Sequence, residues 1–253
     1  MLEKMRALTG PTHLIVVWDG GLSAVRMAAL PEYKAQRAEM PDDLRLQLDD
    51  IVAYLDAIGI ASYCGAGIEA DDYIACIARR AAETGMSVVI ASSDKDFMQL
   101  VSLQIGLLNP NDKTETIWTD QQVRAKTGVE PYQIVDWLSL MGDTVDNIRG
   151  VPGVGTKTAA DLLKRFGSVD NLYRHLEDVK SDKLRGALRE SESIVRRNRD
   201  LVRLHEVACE FLAANLKPRP VNAARLRELF ARWGFKKMLA AVELSAETQV
   251  VLI

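Results

Sequence analysis

Long apolar runs are missing from this 253-residue chain. Nowhere do about 18 apolar residues follow one another, and Met1 to Gly10 carries no apolar block, so neither a membrane span nor a signal peptide is expected. Cysteine is scarce as well. Cys64, Cys76 and Cys209 are odd in number, widely spaced and set in apolar stretches, which argues against both a disulfide framework and a zinc site. The GxxxxGK[ST] phosphate loop is absent, as are internal repeats and low-complexity linkers. These absences point to a reducing, cytoplasmic setting with no membrane partner.

With 48% hydrophobic and 26% charged residues, the chain can bury a large core as one domain or two. Its net charge of −3 conceals a polarity along the sequence. Between Lys157 and Arg199 eleven Lys/Arg face seven Asp/Glu, a local +4, and the remainder is −7. A basic stretch is the footprint expected of phosphate binding. A concentration of acids is either solvated surface or a site neutralised by cations.

Thr12–Trp18, Ile60–Cys64 and Ser87–Ser92 read as short buried strands, and Asp42–Ile58 and Glu69–Thr84 carry apolar residues at helical spacing. This alternation predicts an α/β fold with a mostly parallel sheet and flanking helices, as far as about Leu108. Beyond Thr119 helices follow one another, at 132–141, 156–166, 169–179, 183–204 and 223–230. A soft boundary near Lys126 then separates residues 1–125 from a helical region, 126–253.

The acids fall at the ends of these elements. Asp19 closes a strand, Glu69, Asp71 and Asp72 open a helix, Asp94 and Asp96 follow a strand, and Asp143 and Asp146 follow a helix. The carboxyl ends of parallel strands share a crevice, so Asp19, Asp94 and Asp96 are expected to converge there. Glu69 and Asp72 share a helix face, so Asp71 turns inward only if the first turn is distorted; spacing leaves open which aspartate does so. Eight carboxylates brought together require cations, and oxygen-only ligation selects Mg²⁺ or Mn²⁺. The bland alternatives are helix caps for the 69–72 group and turn residues for Asp143 and Asp146.

A second signal is Gly150-Val-Pro-Gly153-Val-Gly155, followed by Thr156, Lys157 and an amphipathic run to Phe166. A glycine-rich turn joining two helices offers backbone N–H groups and a helix N-terminus to a phosphate, while glycines let a DNA backbone approach closely. The pattern is a helix-hairpin-helix.

PEYKAQR (31–37), IEADD (68–72), SSDKDFMQL (92–100) and GDTVDNIRGVPGVGTKTA (142–159), with Asp19, resemble the 5′-nuclease family. That family includes the 5′–3′ exonuclease domain of bacterial DNA polymerase I, its free-standing relatives and flap endonucleases. The resemblance runs from Met1 to about Glu206. It implies a PIN-like nuclease core with an arch region, followed by a helical DNA-binding region with the hairpin element. It further implies two Mg²⁺ or Mn²⁺ ions, one held with Asp19, Glu69 and Asp71 and with Asp72 close by, the other by Asp94, Asp96, Asp143 and Asp146. Arg26, Tyr33, Lys34 and Arg37 match the base of the family's arch. There Arg26 and Lys34 would neutralise charge growing on the phosphate, and Tyr33 would stack on a base or simply pack. The turn Gly150–Gly155 matches the family's duplex grip, which also uses a monovalent cation such as K⁺.

The family begins with a strand ending in a metal-ligating aspartate, which has no counterpart after Met1. An in-frame segment upstream of Met1 is therefore expected; failing that, the chain is expected to bind branched DNA but cut it slowly. Ser23, Val25 and Arg149 also depart from the family's lysine, phenylalanine and proline. The function implied is hydrolysis of DNA phosphodiesters at 5′ flaps, nicks or free 5′ ends, or in RNA–DNA hybrids. A separate DNA polymerase is expected beside it, since no polymerase-sized sequence follows Ile253. A ribonuclease of the related small carboxylate fold is disfavoured, having no use for a duplex clamp.

Overall fold

A computed structural model describes residues 1–247. Along the chain run α1 (Leu2–Thr9), β1 (Ile15–Trp18), α2 (Ala24–Ala29), α3 (Asp42–Ala57), β2 (Ala61–Cys64), α4 (Ala70–Glu83), β3 (Val88–Ala91), β4 (Ile105–Leu108), β5 (Ile117–Trp118), α5 (Asp120–Thr127) and α6 (Ile134–Met141). There follow β6 (Gly142–Asp143), β7 (Ile148–Arg149), α7 (Thr156–Phe166), α8 (Val169–Arg174), α9 (Asp182–Glu190), α10 (Glu192–Val202), α11 (Ala223–Trp233) and α12 (Lys236–Glu247). The fold is the expected α/β core with a helix-rich C-terminal half. Among the described residues no helix is long and apolar enough to cross a membrane.

Two compact units can be distinguished. One comprises residues 1–9, 19–37 and 65–211. In it β3 and β4 pair in parallel from Val88↔Ile105 to Ala91↔Leu108, and β5 adds antiparallel to β4. Ala75 and Ala78 of α4, Leu138 and Leu140 of α6, Leu163 of α7 and Val195 of α10 belong to its core, all nearly inaccessible to water. The small residues on α4 let that helix lie close against its neighbours, which fixes its N-terminus and the acids there. Asn198 of α10, fully buried, donates to the carbonyls of Ser139 (3.1 Å) and Arg149 (2.7 Å), tying α10 to the end of α6 and to β7.

The other unit comprises, among the described residues, 10–18, 38–64 and 212–247. There β1 and β2 pair in parallel, Ile15↔Ala61 to Trp18↔Cys64. Helices α3 and α11 meet through Tyr54 and Phe230, whose ring centroids lie 6.1 Å apart, and the indole N–H of Trp233 donates to Asp50 at 2.9 Å.

Three expectations are corrected. Cys76 on α4 and Cys209 are joined by a disulfide. Their separation of 133 residues gave the sequence no spacing to read, and packing of the 203–209 segment beside α4 brings them together. The single helix expected over 183–204 is broken at Ser191, which caps α9 and opens α10. Likewise the helix expected over 169–179 ends at Arg174, and a separate short turn, Leu176–Asp178, follows.

Candidate functional site

Four short segments deliver the acids, all within the larger unit. Glu69 is the N-cap residue of α4, with Asp71 and Asp72 in that helix's first turn. Asp72 is turned to Arg26. The guanidinium grips it through two bonds of 2.6 and 2.7 Å, and the backbone N–H of His205 donates a third at 2.8 Å. Asp72 and Arg26 are both almost wholly buried, so this carboxylate is already satisfied.

Asp71 lies on the other side of the helix start, in a negative neighbourhood. Burial, reinforced by the charge of Asp94 and, to a smaller extent, of Glu69 and Asp19, pushes its carboxyl up to about 6 even though Lys34 opposes the shift. The choice between the two neighbouring aspartates, open in the sequence, is thus made by Arg26, which claims Asp72 and leaves Asp71 among the acids. Asp19 is exposed and its Oδ1 accepts from the N–H of Gly21 at 3.1 Å.

The remaining acids form a tighter group. Ligand-capable oxygens of Asp96, Asp143 and Asp146 all lie within 4.8 Å of one another. Asp96 Oδ1 is buried and has no hydrogen-bond partner among the described residues. Burial, then the charges of Asp94 and Asp143, hold its carboxyl well above the usual carboxylate range. Asp94 caps the short helical turn Lys95–Leu100, its Oδ1 accepting from the N–H of Asp96 at 2.9 Å.

Cations surround these acids. Lys34, buried and with φ of 56°, reaches Glu69 Oε2 at 2.7 Å, and the exposed Arg37 reaches Asp146 Oδ1 at 2.6 Å. Lys95, which the sequence reading passed over, pairs with Asp143 at 2.9 Å; its only signal was its place between Asp94 and Asp96. Tyr33 is buried too. Its hydroxyl lies 3.2 Å from Glu69 Oε2 and 3.4 Å from Asp146 Oδ2, bridging the two groups of acids. Only 3% of Tyr33 is accessible, so in this conformation the ring packs inside and has no face for a base to stack on. Arg26 likewise has no free face for a phosphate: besides Asp72 it contacts Glu69 at 3.2 Å and donates to the carbonyls of Leu201 and Arg203.

The hairpin is well formed. Helix α6 leads into β6 and β7, and the N–H of Val151 donates to the carbonyl of Leu140 at 2.8 Å. The turn then enters α7, and the indole N–H of Trp137 on α6 donates to the carbonyl of Thr156 at 3.0 Å. Gly150 is required by packing, since a Cβ there would lie 2.2 Å from the carbonyl carbon of Met141. Gly153 and Gly155 face open space, and Thr156 and Lys157 are exposed beside them.

Residues 1–128 match the 5′-3′ exonuclease N-terminal resolvase-like domain, and residues 129–224 match the 5′-3′ exonuclease C-terminal SAM fold. The chain belongs to the 5′-3′ exonuclease family. Among curated relatives of this family, the 5′-3′ exonuclease of Aquifex aeolicus is 35% identical over 96% of this chain and 82% of its own length. The DNA polymerase I of Bacillus caldotenax is 34% identical over 96% of this chain, which spans 28% of that polymerase. The fold is shared with solved structures. The T5 D15 protein, co-crystallised with metal ions, superimposes with a TM-score of 0.70 at 24% identity, covering 95% of this chain and 88% of that one. The catalytic core of Rad2 in complex with DNA substrate gives 0.59 at 15% identity, covering 90% and 79%.

Proposed function

We propose that this chain is a structure-specific 5′-3′ exonuclease and flap endonuclease that hydrolyses DNA phosphodiesters with the help of two divalent ions, Mg²⁺ or Mn²⁺. The observation that carries the reading is the group Asp96, Asp143 and Asp146, in which a buried carboxyl oxygen, Asp96 Oδ1, has no hydrogen-bond partner among the described residues. An unpartnered polar oxygen in the interior is costly, and a hard cation is the partner that oxygen-only donors fit. Asp96, Asp143 and Asp146, with Asp94, would hold one ion, and Asp19, Glu69 and Asp71 the other. When bound, such ions supply Lewis-acid stabilisation of the scissile phosphate and an acidified water. The chain's own groups do the positioning: Tyr33 spans the two sets of acids, and Arg26 fixes Asp72 and the start of α4. Lys34, Arg37 and Lys95, each paired with one of these acids, would be the cations available to a phosphate held at the ions.

The reading is supported by the Aquifex aeolicus exonuclease, by the metal ions with which the T5 D15 protein was crystallised, and by the DNA substrate bound to Rad2. Residues 1–125 would form the nuclease core, and those from 126 the region that grips duplex DNA beside a 5′ flap, nick or free end. Cutting of a 5′-flapped duplex in Mg²⁺ or Mn²⁺ but not in EDTA is the expected result; no cutting with either ion between about pH 7 and pH 9 refutes it. The pH dependence has a definite sign. A carboxyl raised to about 6 in Asp71 is protonated below that pH and cannot ligate. Metal affinity should therefore fall as pH drops through about 6. For the metal-free protein the same raised value means that ionising Asp71 destabilises the fold as pH rises from about 4 towards about 6, and metal should restore the loss. Calorimetric scans with and without Mn²⁺ at pH 5 and pH 8 check this: the ion is expected to raise the melting temperature more at pH 8.

Gly155 tests the duplex grip. Its backbone is extended (φ −103°, ψ −172°) and a Cβ meets nothing, so valine is tolerated there, whereas Gly153, at φ +80°, would be strained by any side chain. Gly155→Val should leave the fold within about 1 kcal/mol of wild type yet obstruct the phosphate. Loss of one charge-assisted backbone hydrogen bond of about 1.5 kcal/mol corresponds to about tenfold weaker duplex binding. Unchanged affinity would remove Gly155 from the interface.

A further inference from the structure

Two turns along α4 from Asp72, away from the acids, the larger unit holds a cleft of about 470 Å³. Arg79, Gln99, Tyr132, Arg203, His205 and Glu206 supply its polar lining. Its wall is built in advance. Both Nη atoms of Arg79 donate to the carbonyl of Leu204, at 3.4 and 3.3 Å, which fixes the guanidinium. Gln99 clamps the same segment from two sides, donating to the carbonyl of Val202 and accepting from the N–H of Leu204, each at 3.0 Å. His205 is held by Asp72 through its backbone N–H and by the Asp200 carbonyl through its ring, 2.8 Å in both cases.

Two side chains on this wall have no structural employment. Tyr132, in the turn before α6, is 79% exposed. The side chain of Arg203 is exposed and makes no ion pair among the described residues, whereas Arg185, Arg189, Arg196 and Arg199 all pair with carboxylates. Two guanidinium groups against the single carboxylate of Glu206 leave the lining positive. Planar guanidinium forks suit phosphate oxygens, a solvent-facing aromatic ring suits a base, and the volume lies in the range of sites for small ligands.

We propose that this cleft binds one nucleoside 5′-phosphate unit of a single strand, its phosphate between Arg79 and Arg203 and its base stacked on Tyr132. Only the identity of the polymer rests on the nuclease reading; the recognition chemistry does not. The site lies outside both the acids and the hairpin, and would hold a strand that has already left the duplex.

The test is fluorescence anisotropy of a short labelled oligothymidylate with the full chain in EDTA. Tyr132 and Arg203 are exposed, so their variants should fold, whereas Arg79 is avoided because it anchors Leu204. Tyr132→Ala is expected to weaken binding about fivefold or more, with Tyr132→Phe retaining wild-type affinity. Arg203→Ala is expected to flatten the plot of log affinity against log salt by about 0.7. Unchanged affinity in Tyr132→Ala, or an unchanged salt slope in Arg203→Ala, overturns the proposal. Competition by thymidine 5′-monophosphate should exceed that by inorganic phosphate; equal competition overturns the stacking role. Because no divalent ion is present, the result is independent of cleavage. A wild-type chain that fails to cut flapped DNA in Mg²⁺ would remove the nuclease reading and leave the strand-binding cleft standing.

Discussion

Asp143→Ala is expected to abolish cutting of a 5′-flapped duplex while leaving duplex affinity and fold stability nearly unchanged. Asp143 is buried, belongs to the close trio with Asp96 and Asp146, and has Lys95 as its one cationic partner among the described residues, at 2.9 Å. Removing it takes away a carboxylate from a place where negative charge already repels itself. It also frees a lysine that is about one-third exposed and that water can solvate. The net effect on the metal-free fold should be about 1 kcal/mol, the loss of the bond that the N–H of Val145 donates to Asp143 Oδ1 at 3.0 Å. The cost appears in activity: if the ion held there contributes several kcal/mol of charge stabilisation, losing it slows cleavage on the order of 10³-fold. Measured together, flap-cleavage rate, duplex affinity in EDTA and denaturant midpoint separate the cases. Cutting at the wild-type rate would sink the assignment of this trio to metal. A large drop in stability with proportionate loss of activity would make Asp143 a structural acid instead.

How much of this site was visible beforehand depends on the range of the interactions that make it. Helix α7 has the predicted bounds, Thr156–Phe166, because its stripe of apolar residues and its flanking glycines are local signals. Asp42–Ile58 shortens by one residue for the same reason. The break at Ser191 was hidden, since Ser-Glu-Ser suits a helix surface as well as a helix end. Acids at element ends were legible from topology alone, but not their division of labour. On spacing, Asp72 shared a face with Glu69 and Asp71 did not; the structure shows Asp72 withdrawn by Arg26, 46 residues earlier in sequence. Tyr33 and Arg26 are candidates for DNA contact on sequence alone, and their burial follows from acids far along the chain: Asp72, 46 residues from Arg26, and Glu69 and Asp146, 36 and 113 residues from Tyr33. The disulfide between Cys76 and Cys209 belongs with these, a contact over 133 residues with no local mark.

Arg26→Ala should behave in the opposite way to Asp143→Ala, unfolding the site before it affects chemistry. Burial pulls the guanidinium's pKa down, but the hydrogen bonds and charge of Asp72 more than offset this, aided by Glu69, so the group stays charged throughout the working range. Its five contacts join α2, the start of α4 and the carbonyls of Leu201 and Arg203. Alanine would leave Asp72 buried and without its cation, a situation that costs about 3–5 kcal/mol. Lysine would not restore it, because a single ammonium cannot bond both Asp72 oxygens and two carbonyls in one plane. The expected result is a denaturant midpoint well below wild type for both Arg26→Ala and Arg26→Lys. Arg26→Ala/Asp72→Asn is expected to recover part of the loss, since the stranded charge is then gone. Should Arg26→Ala keep wild-type stability and lose only cleavage rate, Arg26 would be a phosphate contact after all, and its pairing with Asp72 would give way when DNA binds.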